Sequence, residues 1–258
     1  MSLTLALCQY SIAPKIGENV SFLLQRIQDE GHKGTHLILV PEMCLTGFAS
    51  GAKETALTME NEVLLTLDAA CRAANLLLVG TFCIRHKGAF FNRALCLGGV
   101  QKSASYDKQR PFILWREKEE FTAGQKPVLW RVGDWTLAPL ICFDLRFPEL
   151  FRESLDADLF IVPANWPASR RDHWLTLLKA RAIENQAYVA GVNRIGIEDG
   201  VSFTGDSVLY DYRGRELLNL QDTSCCERAQ LSLSSMHQYR KRFPVLKECR
   251  LKPPAAHP

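Results

Sequence analysis

Short apolar runs alternate with amphipathic runs along nearly the whole chain, and this alternation limits the possible folds more than any other feature. "LTLALCQ" reads as a strand, and "NVSFLLQRIQDEG" as a helix with apolar residues at helical spacing and a glycine stop. "THLILVPE" reads as a short buried strand, "ENEVLLTLDAACRAAN" as a helix, and "LLLVGTFCI" and "FNRALCLGG" as strands. The second half repeats the theme. "WTLAPLIC", "DLFIVPANW" and "AYVAGVNR" read as strands separated by the short helix "FPELFRESL" and the long helix "RRDHWLTLLKARAIENQ". "GDSVLYDYRG" and "RAQLSLS" are the last expected strands, followed by the helix "SMHQYRKRF". Helices returning between strands indicate a mixed α/β architecture with sheets covered by helices.

With 258 residues and no composition break before the proline-rich end, the expected organisation is one domain over 1–244 and a tail over 245–258. A hydrophobic share of 47% with 23% charged residues is ordinary for a soluble globular chain. A net charge of only +3 gives no electrostatic footprint for nucleic acid. The start lacks a basic leader, and its apolar run is too short for a signal peptide or a membrane span, so a cytoplasmic protein is expected. Nine cysteines, an odd number with no CxxC pair, read as reduced side chains inside apolar runs; Cys225 and Cys226 are expected in a loop. His32 and His36 have the spacing of helical metal ligands, but Gly34 between them weakens a helix and HExxH is absent, so no metal is expected.

Reactive groups in open α/β sheets gather just beyond the carboxyl ends of strands. Those positions hold Glu42 after "HLILVP", Lys108 in "SYDKQRPF", Cys142 after "WTLAPLI", and Asn165 and Trp166 after "DLFIVPA". Taken singly, each has a plain alternative: a strand-end cap, a solvated loop charge, a core thiol. Taken together they make a chemical set. A thiolate attacks a carbonyl carbon, a carboxylate moves protons, and an ammonium stabilises the oxyanion, with the Phe143 N–H as a second donor.

"LVPEMCLTGF", "YDKQRPF", "ICFDLRFPEL" and "ARAIENQAYVAGVNRIG" resemble the nitrilase superfamily of carbon–nitrogen hydrolases, over nearly the whole chain and in the family's order. "CFDLRFPE" and "ANWPASRRDHW" are most similar to the ω-amidase branch, which hydrolyses the side-chain amide of 2-oxo dicarboxylic acid monoamides. The resemblance implies a four-layer α-β-β-α sandwich and a Glu42–Lys108–Cys142 triad, with Glu117 as a second, supporting glutamate. It also implies a thioester intermediate on Cys142, a small-molecule amide substrate, no cofactor, and a homodimer paired across helices. The family's usual K-x-H-L-F becomes "KQRPF", so Arg110 and Pro111 depart from the pattern in a way that bears on substrate choice.

Arg146, four residues after Cys142, suits a substrate carboxylate through bidentate hydrogen bonds. A structural ion pair with Asp144 or Glu149 is the equal alternative. Trp166 either lines the pocket or belongs to the core. Arg181, Glu184 and Asn185 sit in a family motif, but their helical spacing indicates packing or a subunit contact. A non-catalytic binding protein would be expected to lack one of the three triad residues, a thiol-redox protein to carry CxxC, and a serine hydrolase G-x-S-x-G. A nitrilase, an N-carbamoyl hydrolase and a deaminated-glutathione amidase share the triad, so a deaminated-glutathione amidase or another nitrilase-family amidase is the alternative.

Overall fold

The computed structural model describes residues 2–48, 51–99, 105–113 and 117–248, the side chains of 52 and 53 excepted. Five strands open the chain: β1 (Ser2–Gln9), β2 (Leu37–Leu39), β3 (Leu77–His86), β4 (Ala89–Leu97) and β5 (Tyr106–Asp107). Four more follow: β6 (Trp130–Val132), β7 (Trp135–Pro139), β8 (Leu159–Ala164) and β9 (Tyr188–Asn193). A hairpin of β10 (Ile195–Glu198) and β11 (Val201–Thr204) precedes β12 (Val208–Tyr210), β13 (Glu216–Asn219) and β14 (Cys225–Ser232). They form two six-stranded sheets, ordered β14-β1-β2-β3-β4-β5 and β13-β12-β9-β8-β7-β6. In each, three central strands run parallel, β1-β2-β3 and β7-β8-β9, with antiparallel strands beyond them.

Strand alternation sorts the side chains into layers. Leu3, Leu5 and Leu7 of β1, with Leu37 and Leu39 of β2, join the cluster that holds Leu137, Leu159 and Ile161 of the second sheet. Ala6, Cys8 and Ile38 point the other way, onto Leu23 and Ile27 of the helix Ile16–His32 and Leu64 and Leu67 of the helix Glu62–Ala73. The helices Pro148–Arg152 and Arg171–Asn185 cover the outer face of the second sheet, where Phe151 meets Phe160 at 4.9 Å between ring centroids. Gly191 on β9 lets this layer close, because a Cβ there would lie 2.4 Å from Leu178 Cδ1. The result is the expected α-β-β-α sandwich.

The main strands and helices lie where the periodicity puts them, and two expectations need correction. Cys225 and Cys226 are not in a loop; they begin β14, where Cys226 sits opposite Cys8 of β1. β7 stops at Pro139, so Cys142 opens a tight helical turn, Cys142–Arg146, instead of ending a strand. The hairpin β10–β11 and the short strands β5, β6 and β13 are too brief or too polar to show a period. Of the expected tail, Val245–Lys247 form a helical turn, and 249–258 lie outside the described residues. No helix among the described residues is long and apolar enough to cross a membrane.

Candidate active site

The carboxyl ends of β2, β5, β7 and β8 meet at one end of the sandwich, and each delivers a polar side chain there. Glu42 follows β2, and its backbone N–H donates to the Ala164 carbonyl of the opposite sheet at 3.4 Å. Its Oε2 accepts from the Asn165 N–H at 2.9 Å, so one residue ties the two sheets together. Lys108 follows β5, with its backbone held to Asn92 and Gly124. Gly124 has no substitute there, because a Cβ would lie 2.0 Å from the Asp107 carbonyl oxygen.

Three charges share this buried space: Glu42 is 1%, Lys108 2% and Glu117 4% exposed. Lys108 Nζ donates to Glu42 Oε1 at 2.8 Å and lies 2.7 Å from both oxygens of Glu117. Asn92, in the middle of β4, donates its Nδ2 to Glu42 at 2.7 Å and to Glu117 at 3.0 Å. The Phe112 N–H satisfies the remaining lone pair of Glu117 at 2.8 Å. Burial works against the Lys108 charge, but Glu117, Glu42 and Cys142 outweigh it and hold its pKa above that of an ordinary lysine. Glu42 is pushed up, chiefly by burial; Lys108 opposes this and Glu117 adds to it.

Cys142 sits beside this group with a left-handed φ of 45°, a conformation a side-chain-bearing residue adopts only when its surroundings enforce it. Its Sγ lies 3.9 Å from the Asn165 carbonyl. Burial first, then Glu42 and Glu117, drive the thiol pKa well above its usual value, while Lys108 pulls the other way. The nearby cation therefore does not offset the burial, and the thiol form of Cys142 is favoured.

Asp144 fixes the turn from behind. Fully buried, it accepts from the Ile141 N–H at 2.9 Å and the Tyr106 hydroxyl at 2.8 Å on one oxygen, and from the Arg110 N–H at 2.8 Å on the other. It thus joins the Cys142 turn to the loop after Lys108. Arg181 closes the other end of the turn by donating Nη2 and Nε to the Leu145 carbonyl at 2.9 and 3.2 Å, and Glu184 pairs with Arg181 at 2.9 Å.

A cavity opens on this cluster, lined by Glu42, Lys108, Glu117 and Cys142 and also by Phe143, Arg146, Trp166 and Arg170. Arg146 pairs with neither Asp144 nor Glu149: Asp144 is occupied by neutral donors, and Glu149 faces Arg110 at 3.8 Å. Its guanidinium lies 4.9 Å from the Trp166 ring centre and 3.1 Å from His173 Nδ1, and among the described residues no carboxylate forms an ion pair with it. Trp166 serves both expected purposes, lining the cavity and packing on Trp174 at 5.5 Å. Arg110 points away, over Phe147, so the "KQRPF" departure leaves the cavity wall to Phe112. His36 accepts from the Thr4 N–H, and no group of three metal-ligating side chains occurs among the described residues.

The carbon-nitrogen hydrolase family profile matches residues 4–241. The chain belongs to that family. It is 40% identical over 227 residues to a protein of Yersinia enterocolitica named omega-amidase YafV, covering 86% of each chain. It is 31% identical over 245 residues to a 2-oxoglutaramate amidase of Paenarthrobacter nicotinovorans, covering 88% of this chain and 83% of that one. The crystal structure of a CN-hydrolase superfamily protein from Xanthomonas campestris, which carries an arsenic adduct in its active site, superposes with a TM-score of 0.88 at 28% identity, over 96% of this chain and 97% of that one.

Two residues of the site escaped the sequence. Asn92 carries no motif signal, being a single polar residue within the strand run "FNRALCLGG", although it falls at a fully buried point. Asp144 looked like a partner for Arg146. Its carboxyl is pushed up to about 6, mainly by burial, so protonation favours the fold. That contribution is complete below about pH 4 and vanishes as pH rises through about 6. Wild type should therefore lose stability relative to Asp144→Asn between about pH 4 and about pH 7 in urea unfolding. Parallel curves for the two proteins would contradict this.

Proposed function

We propose that the protein is an ω-amidase that hydrolyses the terminal amide of small 2-oxo dicarboxylic acid monoamides, such as 2-oxoglutaramate, through a thioester on Cys142. The supporting observation is the Arg146 guanidinium, which no carboxylate among the described residues pairs with, in the cavity that also holds Cys142. A substrate with an amide at one end and a carboxylate at the other fits both features. Relatives that carry ω-amidase and 2-oxoglutaramate amidase names support the same reading.

On this reading, Glu42 takes the Cys142 proton as Sγ attacks the amide carbon. The two Glu117 oxygens share one N–H of Lys108, Glu42 holds a second, and the third turns to the oxyanion together with the Phe143 N–H. Glu42 returns the proton to the nitrogen, ammonia leaves, and the acyl group stays on sulfur. Water, deprotonated by Glu42, then attacks the thioester; the carboxylic acid departs and the thiol regains its proton. Glu117 and Asn92 position Lys108 and Glu42 without touching substrate.

The same reading takes the protein as a cytoplasmic homodimer. The helix Arg171–Asn185 leaves Ile183 half exposed, and we place the twin subunit against it. A monomer mass by light scattering at micromolar concentration contradicts that half of the proposal.

Cys142→Ala should fold and release no ammonia. Removing one partner of a desolvated carboxylate–guanidinium pair costs about 2 kcal/mol or more, roughly thirtyfold. Arg146→Met should therefore cut kcat/KM for 2-oxoglutaramate by about that factor relative to kcat/KM for a simple neutral amide. Equal losses on both would make Arg146 structural. A wild-type preference for a long peptide-like amide would point to the deaminated-glutathione amidase alternative.

A further inference from the structure

The adjacent arginines of "SRRDH" have opposite fates. Arg171 is fully engaged, with Nε and Nη2 donating to the two oxygens of Asp206 at 2.8 and 2.7 Å. Arg170 forms no ion pair with any carboxylate among the described residues; its guanidinium lies 5.6 Å from the Phe112 ring centre and lines the cavity that contains Cys142. Its backbone is fixed on both sides. The N–H donates to the Pro167 carbonyl at 3.0 Å, and the carbonyl accepts from Trp166 Nε1 at 2.8 Å. The Trp166 ring in turn carries the Arg146 guanidinium on its face. One tryptophan thus orients both arginines, one through its N–H and one through its ring.

Two cations on one concave wall repel each other: the charged form of Arg146 is disfavoured by burial and then by Arg170. Such an arrangement costs stability unless an anion enters between them. A lone carboxylate can be served by one guanidinium fork. A 2-oxo acid offers more, because its carboxylate and the neighbouring keto oxygen present three acceptors in a row.

We infer that Arg170 is a second anion-binding residue of this cavity, which shares with Arg146 the carboxylate and adjacent carbonyl oxygen at the far end of the substrate and so selects 2-oxo acid monoamides. The inference rests on the amidase reading above and adds to it a specificity-determining residue. No atom of Arg170 takes part in bond making or breaking. Its contribution falls on KM and on the choice between substrates.

The test compares kcat/KM for 2-oxoglutaramate, for glutaramate, which lacks the keto oxygen, and for pentanamide, which lacks the charge. Wild type should prefer them in that order. Arg170→Met should lower the ratio of 2-oxoglutaramate to pentanamide by about tenfold or more, mainly through KM, as expected for lost hydrogen bonds to a charged group. Arg170→Lys, which keeps the charge, should restore part of the ratio and guards against a folding defect in the first variant. Because both arginines hold one anion, Arg146→Met and Arg170→Met together should cost less than the product of the single losses. An Arg170→Met ratio within about twofold of wild type overturns the inference while leaving the amidase reading intact. A wild type with no preference for the anionic amides overturns both, and that failure shows before any variant is made.

Discussion

Everything at this site depends on one ammonium group between two carboxylates. Lys108 Nζ touches Glu42 and Glu117 within 2.8 Å in a place that water hardly reaches. With all three ionised, the cluster carries one positive and two negative charges, a net of minus one. A standing thiolate on Cys142 would make it minus two in a poorly screening environment, which is why the thiol keeps its proton at rest. In the proposed mechanism, passing that proton to Glu42 would leave the net charge unchanged, negative charge moving from oxygen to sulfur beside Lys108. The same burial that disfavours ionisation of Cys142 also raises the Glu42 pKa, in the direction the proposed proton transfer requires.

Such a network is a poor way to gain stability, since desolvating three charges costs several kcal/mol per ion before their attraction returns it. The surrounding structure supplies the compensation. Asn92 and the Asn165 and Phe112 N–H groups occupy the carboxylate lone pairs that Lys108 leaves open. Asp144 joins the Cys142 turn to the Lys108 loop, and Arg181 closes the far end of the same turn. Glu42 links the two sheets through Ala164 and Asn165. The sandwich therefore fixes the relative position of groups that arise on four different strands, and the left-handed Cys142 is held by contacts on both sides.

Much of this was legible before any coordinates. The periods of 2 and 3.6 placed the long strands and helices, and reading only strand ends singled out Glu42, Lys108, Cys142, Asn165 and Trp166. What escaped did so for identifiable physical reasons. Asn92 fills a place in β4 that alternation allows to be polar, and only its burial against two carboxylates reveals its task. Asp144 and Arg146 are close in sequence and opposite in charge, which suggested a pair. The tight turn after Ile141 separates them, sending one to the backbone and the other to the cavity. Arg170 and Arg171 cannot be told apart by type or neighbours, and only the position of Asp206 decides which one is taken. Cys225 and Cys226 read as a loop because their β-pairing partner, β1, lies at the other end of the chain.

In the proposed mechanism this charge cluster makes Cys142, alone among nine cysteines, a covalent nucleophile. The most direct measurement is mass spectrometry of the protein quenched in acid during turnover of 2-oxoglutaramate, followed by peptide mapping. The account predicts an adduct with the mass of the substrate less ammonia on the peptide that contains Cys142, absent from Cys142→Ala and from every other cysteine. Turnover with no acyl adduct on Cys142 under conditions that preserve thioesters, or an adduct on another cysteine, would contradict it.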